Sequence, residues 1–384
     1  MLTLALGFLF GCFIGSFLNV CVHRLPRNES IVLPPSRCYA CGTMVRWYDN
    51  LPIISYLLLR GRCRWCGTGF SPRYLIMEVV VGLATALVLW RACDPASGWS
   101  AGWLENLGGE EWGLTVACAA AGAAVLTLMW LLIVASAIDL DYLIIPDELT
   151  VSFQLAAPFL ATLTLVPVAL NLADPGLWSP LSWALQTRLV GAPVLTPDLL
   201  LAWCWGIGGG CMALLALSLP VARRIYSHIP DDSERWSEDE HRGFAVGVKW
   251  FIGCTLVHLL ALSVLVLAKV DVRILAVAAQ ALLGSLTGWM SLYLIGLVGT
   301  VVFRRNAMGF GDVKFLAPVG AFLGPLGVVY TFFAAAVAGT LVGLPLRLMK
   351  NQVLIPFGPY LALGAVLVLF FGPWLHSALF LRPG

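Results

Sequence analysis

The chain has 384 residues, of which 60% are hydrophobic and only 11% are charged, and its mean hydropathy is +0.88. Soluble domains carry about 25% charged residues, so this composition excludes an ordinary soluble protein and predicts an integral membrane protein embedded in lipid. The net charge of +2 gives no indication of a nucleic-acid partner, and we expect none.

Ten apolar stretches predict an all-α polytopic membrane protein with about eight to ten transmembrane helices. A helix needs about 20 apolar residues to cross a bilayer. The stretch 312–324 is shorter and ends at Gly324-Pro325, so it can be a half-span or one arm of a helical hairpin. Residues 51–59 are too few to cross and are expected to lie along the membrane interface. The ten stretches are 2–22, 74–90, 114–138, 149–170, 199–221, 250–268, 274–303, 312–324, 326–346 and 355–381.

The orientation of the chain follows from its basic residues, which favour cytoplasmic loops. The first stretch has no small-residue cleavage site, so we expect a retained helix rather than a removed signal peptide. Loop 23–73 is rich in arginine, whereas loops 91–113 and 171–198 have one arginine each and contain tryptophans. The amino terminus is therefore predicted to lie outside, and the cytoplasmic loops are predicted to be 23–73, 139–148, 222–249, 304–314 and 347–352.

Loop 23–73 contains two Cys-x-x-Cys pairs, Cys38 with Cys41 and Cys63 with Cys66. Each pair can present two thiolates to one tetrahedral zinc ion at about 2.3 Å. Disulfides or free structural thiols are the alternatives, and a reducing cytoplasm argues against disulfides. Four protein ligands would close the site, so the metal would be structural. The loop is predicted to be a small cytoplasmic zinc-knuckle domain.

Asp139 is the acidic residue most closely joined to an apolar helix, at the end of the third span. Acidic residues at a membrane edge are costly and call for an explanation. Asp141, Asp147 and Glu148 follow, and we interpret these three as ordinary acidic residues at helix ends in a cytoplasmic turn. Asp139 is the first candidate catalytic residue.

Asp312 is the second candidate, in the sequence Gly309-Phe310-Gly311-Asp312. Glycine on both sides of Phe310 lets the backbone approach another chain closely, as an extended peptide substrate requires. Together with Asp139 on the same side of the membrane, Asp312 indicates aspartyl proteolysis. In a pair of carboxyls that share one proton, the ionised one activates a water and the protonated one donates to the scissile carbonyl oxygen.

Six motifs occur in a fixed order: GSFLNVCVHRLP (15–26), the two cysteine pairs, NLPIISYLLLRGRCRWC (50–66), AIDLDYLIIPDELT (137–150), MGFGDVK (308–314) and IPFGPYLALG (355–364). Over residues 1–165 and 275–384 the chain resembles the type IV prepilin peptidases. The resemblance implies a bifunctional enzyme of bacterial inner membranes. Such an enzyme removes the basic leader of type IV prepilins and pseudopilins on the cytoplasmic side, and then methylates the new amino terminus from S-adenosylmethionine.

The resemblance also implies roles for particular residues. Asp139 and Asp312 match the two catalytic aspartates of the family, and the four cysteines named above match its zinc ligands. Tyr39 stands where the family often has proline, which leaves the ligands intact. Glu78, inside the second span, matches a family position and can either support the methyltransferase or pair with an arginine. No glycine-rich nucleotide loop identifies the residues that hold S-adenosylmethionine.

The interval between the two aspartates is 172 residues, longer than the family usually has. Residues 171–273 are predicted to be an insertion of two extra spans around the charged segment 223–249. We interpret this segment as a solvated loop or, alternatively, as a docking site for a pilus or secretion partner.

The sequence predicts five segments along the chain. They are a first transmembrane helix (1–22), a methyltransferase-associated zinc-knuckle domain (23–73), a core with Asp139 (74–170), the insertion (171–273) and a core with Asp312 (274–384).

Two other functions remain alternatives at this point. An ion- or proton-coupled transporter predicts related halves and polar residues near mid-span, but no internal repeat is evident and the key acidic residues lie at span ends. A zinc-knuckle membrane scaffold without catalysis leaves the two aspartates unexplained. The sequence therefore favours the peptidase.

Overall fold

The computed structural model describes residues 2–93, 112–169, 196–227, 229, 238–350 and 356–380. Within these ranges the chain forms ten α-helices and two short 3-10 helices, and it forms no β-strand. The helices are α1 (Leu2–Arg24), α2 (Ile54–Leu58), α3 (Arg73–Cys93), α4 (Trp112–Tyr142), α5 (Asp147–Ala169), α6 (Pro197–Ser227), α7 (Glu238–Leu267), α8 (Val272–Phe303), α9 (Phe310–Lys350) and α10 (Gly358–Phe380).

In the described part of the chain, seven helices are long and apolar enough to cross a membrane, namely α1, α3, α4, α6, α7, α8 and α9. This confirms a multi-pass, all-α membrane protein. The predicted break at Gly324-Pro325 is a kink inside α9, because Gly324 has a φ of 70° and a ψ of 176°. The predicted outer loops 91–113 and 171–198 lie largely outside the described residues.

The chain divides into two compact units, Met1–Pro146 and Asp147–Gly384. The first unit contains the cysteine loop and Asp139, and the second contains Asp312. The five-segment division made from the sequence remains a prediction.

In the first unit, α1 and α3 pack closely through glycines on α1. A Cβ added to Gly11 would lie 2.7 Å from the side chain of Thr85, and one added to Gly15 would lie 2.8 Å from the Cα of Glu78. Small residues spaced by four allow helices in a membrane to approach this closely. Trp130 of α4 joins the same contact, since its Nε1–H donates to Thr85 Oγ1 at 3.0 Å.

In the second unit, α8 and α9 are in backbone contact. A Cβ on Gly284 would lie 2.0 Å from the carbonyl oxygen of Gly320, and one on Gly288 would lie 2.3 Å from that of Leu316. Any larger side chain at these glycines would force the two helices apart. Trp289, which directly follows Gly288, is fully buried in the core of the unit.

The two helices of the predicted insertion, α6 and α7, pack onto the rest of the second unit. His258 of α7 has its Nε2 atom 2.9 Å from the carbonyl oxygen of Leu155 in α5, and Ser218 of α6 shares a hydrogen bond with Tyr293 of α8. Helix α7 begins at Glu238, so the predicted loop is partly helical and its charged end extends α7. Residues 228 and 230–237 of that loop lie outside the described residues.

Candidate functional site

Asp139 lies in the last turn of α4 and is only 6% exposed. The helix ends there because Leu143 adopts a left-handed φ of 55° and its N–H donates to the carbonyl oxygen of Asp139 at 2.9 Å. This single bond is the αL type of helix end. Pro146 then separates α4 from α5. The hydrogen bond from Leu143 at the helix end therefore fixes the backbone of Asp139.

Arg73, the first residue of α3, binds the same end of α4. Its guanidinium donates to the carbonyl oxygen of Ala137 at 3.1 Å and forms an ion pair with Asp141. Asp141 is thus a helix-end residue, as interpreted from the sequence, with a specific partner. The sequence gives no sign of this role of Arg73, because arginines next to a span are already expected from membrane orientation.

Asp312 lies in the first turn of α9, beside the glycines of its motif. A Cβ added to Gly309 would lie 3.4 Å from Asp312 Oδ2, so the carboxyl rests directly over this glycine. Phe310 anchors the turn, with its ring centroid 4.8 Å from that of Phe244 and 5.8 Å from that of Trp289. Both pairs are edge to face, the geometry that aromatic rings prefer. The start of α9 is therefore fixed by buried aromatic packing.

Lys314 is a buried cation two residues after Asp312. The side chain is 6% exposed, and its Nζ lies 2.6 Å from Asp147 Oδ1 and 4.6 Å from the centroid of the Phe310 ring. A buried ammonium group needs such a partner, because losing its hydration is costly. The ion pair joins the first residue of α5 to the second turn of α9. Asp147 thus has a defined partner that the sequence pattern did not indicate.

Helix α7 contacts the Gly-Phe-Gly-Asp motif at Gly247. A Cβ at this glycine would lie 2.5 Å from Phe310 Cε1 and 2.8 Å from Lys314 Cε. The insertion is therefore part of the wall around the motif of Asp312. This contact was not predicted, since a lone glycine in a charged segment carries no signal of close approach.

The four predicted zinc cysteines come together in the first unit. Their Sγ atoms all lie within 4.8 Å of one another, and those of Cys38 and Cys66 are 3.8 Å apart. A zinc ion with tetrahedral bonds of about 2.3 Å separates its sulfur ligands by about 3.8 Å. A disulfide needs a sulfur–sulfur distance of about 2 Å, and the four cysteines are free thiols. The cluster can therefore hold a metal ion.

The two knuckles have the same local construction. In each, the N–H of the first cysteine donates to the carbonyl five residues later, and the N–H of the glycine after the second cysteine donates back to the first cysteine. Gly42 and Gly67 close these turns with φ values of 71° and 69°, which glycine adopts without strain. The hydroxyl and the backbone of Thr68 lower the pKa of Cys66 to about 6, which favours the thiolate that binds metal.

Tyr39, the departure from the family pattern, links the two knuckles. Its hydroxyl donates to the carbonyl oxygen of Gly69 at 2.8 Å, and its ring meets that of Phe70 edge to face at 5.9 Å. The substitution therefore adds a contact between the two halves of the metal cluster. With Tyr39 at this position, the four Sγ atoms still lie within 4.8 Å of one another.

Glu78 lies beside a cavity of about 550 Å³ in the first unit, bounded by α1, α3 and the cysteine loop. The residue is 8% exposed, and its Oε2 accepts a hydrogen bond from the backbone N–H of Ile53 at 2.7 Å. Among the described residues Glu78 forms no ion pair, so the pairing with an arginine is not observed.

Two family models match the chain. Residues 9–92 match the bacterial peptidase A24 N-terminal domain, and residues 251–344 match the type IV leader peptidase family. The first range contains the four cysteines and Glu78, and the second contains Asp312 and Lys314.

Several known proteins called prepilin leader peptidase/N-methyltransferase are similar to the chain. The one from Myxococcus xanthus is 38% identical over 154 residues, which are 40% of this chain and 39% of that protein. Those from Pseudomonas putida and Pseudomonas aeruginosa are 23% and 24% identical; the alignments cover 98% and 95% of this chain and 93% and 89% of those proteins. No solved structure matches the chain.

Proposed function

Because the chain belongs to the type IV leader peptidase family, we propose that it is a membrane aspartyl endopeptidase that removes the basic leader of type IV prepilins or pseudopilins. The same chain then methylates the new amino terminus with S-adenosylmethionine. The observation that carries the peptidase assignment is the pair of aspartates at the ends of apolar helices, Asp139 in the last turn of α4 and Asp312 in the first turn of α9. Transport of ions or protons has no comparable support.

In the proposed reaction the two carboxyls meet and share one proton. Asp312 lies at the positive end of the dipole of α9, and Asp139 lies at the negative end of that of α4. We therefore assign the ionised carboxylate to Asp312 and the proton to Asp139. Asp312 takes a proton from the attacking water while Asp139 protonates the scissile carbonyl oxygen. As the tetrahedral intermediate collapses and the C–N bond breaks, Asp312 passes its proton to the leaving amine and Asp139 recovers its own from the hydroxyl that becomes the new carbonyl oxygen.

The proposed location is the bacterial inner membrane, with the amino terminus outside and both aspartates at the cytoplasmic face. The arginine-rich loop 23–73 supports this orientation. A prepilin would keep its basic leader in the cytoplasm and its apolar helix among the lipids, so the cut falls at the water–lipid boundary.

The proposed function includes a metal ion and a methyl donor. The thiolates of the four-cysteine cluster bind one structural zinc ion, which holds the cysteine loop in its fold. S-adenosylmethionine supplies the methyl group when it is bound. We assign the methyl transfer to the first unit, which contains the match to the bacterial peptidase A24 N-terminal domain.

A direct test uses the purified chain in detergent with a full-length prepilin and S-adenosylmethionine. Mass spectrometry of the product is expected to show loss of the leader and the gain of one methyl group. An intact prepilin would contradict the peptidase, and a cut but unmethylated pilin would remove only the methyltransferase.

The contact of α7 with the aspartate motif leads to a specific prediction for Gly247→Ala. The added methyl group would press on Phe310 and Lys314, at 2.5 and 2.8 Å. Overpacking of this kind is relieved by a shift of the contacting groups, which would displace the motif of Asp312, so we expect the rate of leader cleavage to fall about tenfold. The measurement is the initial rate of processing by protein in detergent.

Gly253→Ala is the matched control for this prediction. It makes the same change on the same helix, and a Cβ at Gly253 meets no atom within 4 Å. We expect this variant to cleave at the wild-type rate. Equal rates for both variants would contradict a role for α7 in positioning the motif.

A further inference from the structure

The cavity beside Glu78 lies between the C-terminal half of α1, the N-terminal half of α3, the short helix α2 and the first knuckle. Its volume of about 550 Å³ lies within the range of about 300–1,000 Å³ that is typical of sites for small molecules. Neither Asp139 nor Asp312 lines it. The peptidase chemistry therefore leaves this cavity without a role.

The walls of the cavity carry three kinds of group. Carboxylates, guanidinium groups and aromatic rings all line it, from α1, the cysteine loop, α2 and α3. These three kinds of group are complementary to the parts of S-adenosylmethionine, which has a sulfonium and an ammonium cation, a carboxylate, and a flat adenine ring. The wall residues that fit these parts are Glu78, Arg37, Arg62, Tyr56 and Tyr74.

Glu78 is a buried carboxyl in the wall of the cavity. A carboxylate taken out of water is costly unless it is paired with a cation or well hydrogen-bonded. The backbone N–H of Ile53 donates to Oε2 at 2.7 Å, and the hydroxyl of Ser16 also forms a hydrogen bond with Glu78, but no described basic side chain forms an ion pair with it. A bound cation would therefore complete the environment of this carboxylate.

Two arginines stand at equivalent positions on the two knuckles. Arg37 directly precedes Cys38, Arg62 directly precedes Cys63, and each forms a β-bridge with the other side of its own turn. Both line the cavity. Guanidinium groups are well suited to bind a carboxylate through two hydrogen bonds. The fold of the metal cluster thus sets the place of both groups.

We propose that this cavity binds S-adenosylmethionine. The carboxylate of Glu78 contacts the positive charge of the ligand, Arg37 and Arg62 bind its carboxylate, and Tyr56 and Tyr74 provide the aromatic surface for the adenine. The inference rests on the proposed methyltransferase function and gives it a location.

The test measures equilibrium binding of radiolabelled S-adenosylmethionine to the full chain in nanodiscs. We expect Glu78→Gln to raise the Kd at least tenfold. Glu148→Gln makes the same change at an exposed residue of α5, outside the cavity, and is expected to bind like the wild type. Thermal unfolding and gel filtration of each variant verify that it is folded.

A second variant covers the case in which Glu78→Gln does not fold, since Glu78 is buried. The double variant Arg37→Gln/Arg62→Gln changes exposed side chains and is also expected to raise the Kd at least tenfold. Wild-type affinity in this variant would overturn the inference.

Ultraviolet crosslinking of the radiolabelled ligand, followed by peptide mapping, locates the site directly. We expect label on peptides that contain Tyr56 or Tyr74. Label confined to other peptides would overturn the cavity assignment and leave the methyltransferase in place. A wild-type chain that binds no S-adenosylmethionine would overturn both.

Discussion

Asparagine at either proposed catalytic position, in Asp139→Asn or Asp312→Asn, is expected to reduce leader cleavage by about a thousandfold or more. The amide has nearly the shape of the carboxyl, but it cannot give up or accept the shared proton. The measurement is the rate of leader loss from a full-length prepilin. Expression and membrane insertion should persist, because each side chain lies at the end of a helix rather than in its middle.

Methylation is the internal control for these two variants. It requires no pair of carboxyls, so both variants should methylate a pilin that has already lost its leader. Substantial processing of prepilin by either variant would refute the assignment of the two aspartates. Loss of methylation together with cleavage would indicate instead that the variants are misfolded.

The pH dependence of the wild-type enzyme tests the sharing of the proton. Only the form with one proton on the pair is active, so the rate should fall on both the acidic and the alkaline side of an optimum. A rate that rises to a plateau, with no fall on one side, would contradict a carboxyl pair.

Removal of metal from the four-cysteine cluster is expected to unfold the cysteine loop. The loop has almost no core of its own: Cys38 is 2% exposed, whereas Trp47 is 78% exposed and Leu58 is 77% exposed. Structural zinc sites contribute about 10–16 kcal/mol of apparent binding energy, far more than such a loop can gain from burial. We therefore expect a chelator, or the variant Cys38→Ser, to expose the loop to trypsin at Arg46 and Arg60.

Cys211→Ser is the matched control, with the same chemical change on α6 in the second unit. Zinc content by mass spectrometry should remain at one ion per chain in this variant and fall in Cys38→Ser. Unchanged trypsin resistance after chelation would contradict the structural role of the metal. Absence of zinc from the wild-type chain would contradict the metal assignment itself.

The helices and the cysteine cluster were predicted from local sequence. A segment in lipid must satisfy its backbone hydrogen bonds within itself, so a long apolar stretch already specifies a helix. The kink in α9 could also be predicted locally, because Gly324-Pro325 interrupts the helix without help from distant residues. The cysteine pairs were recognisable because two ligands at short spacing lie on one turn.

The partners of the candidate residues were decided only by the tertiary structure. Lys314 meets Asp147 across 167 residues of sequence, and Arg73 reaches Ala137 across 64. Gly247 touches Phe310, and a cavity forms around Glu78. Hydropathy determines that each helix exists, but it does not determine which helices lie side by side. That choice depends on the shapes of whole helix surfaces, which a local pattern of residues does not contain.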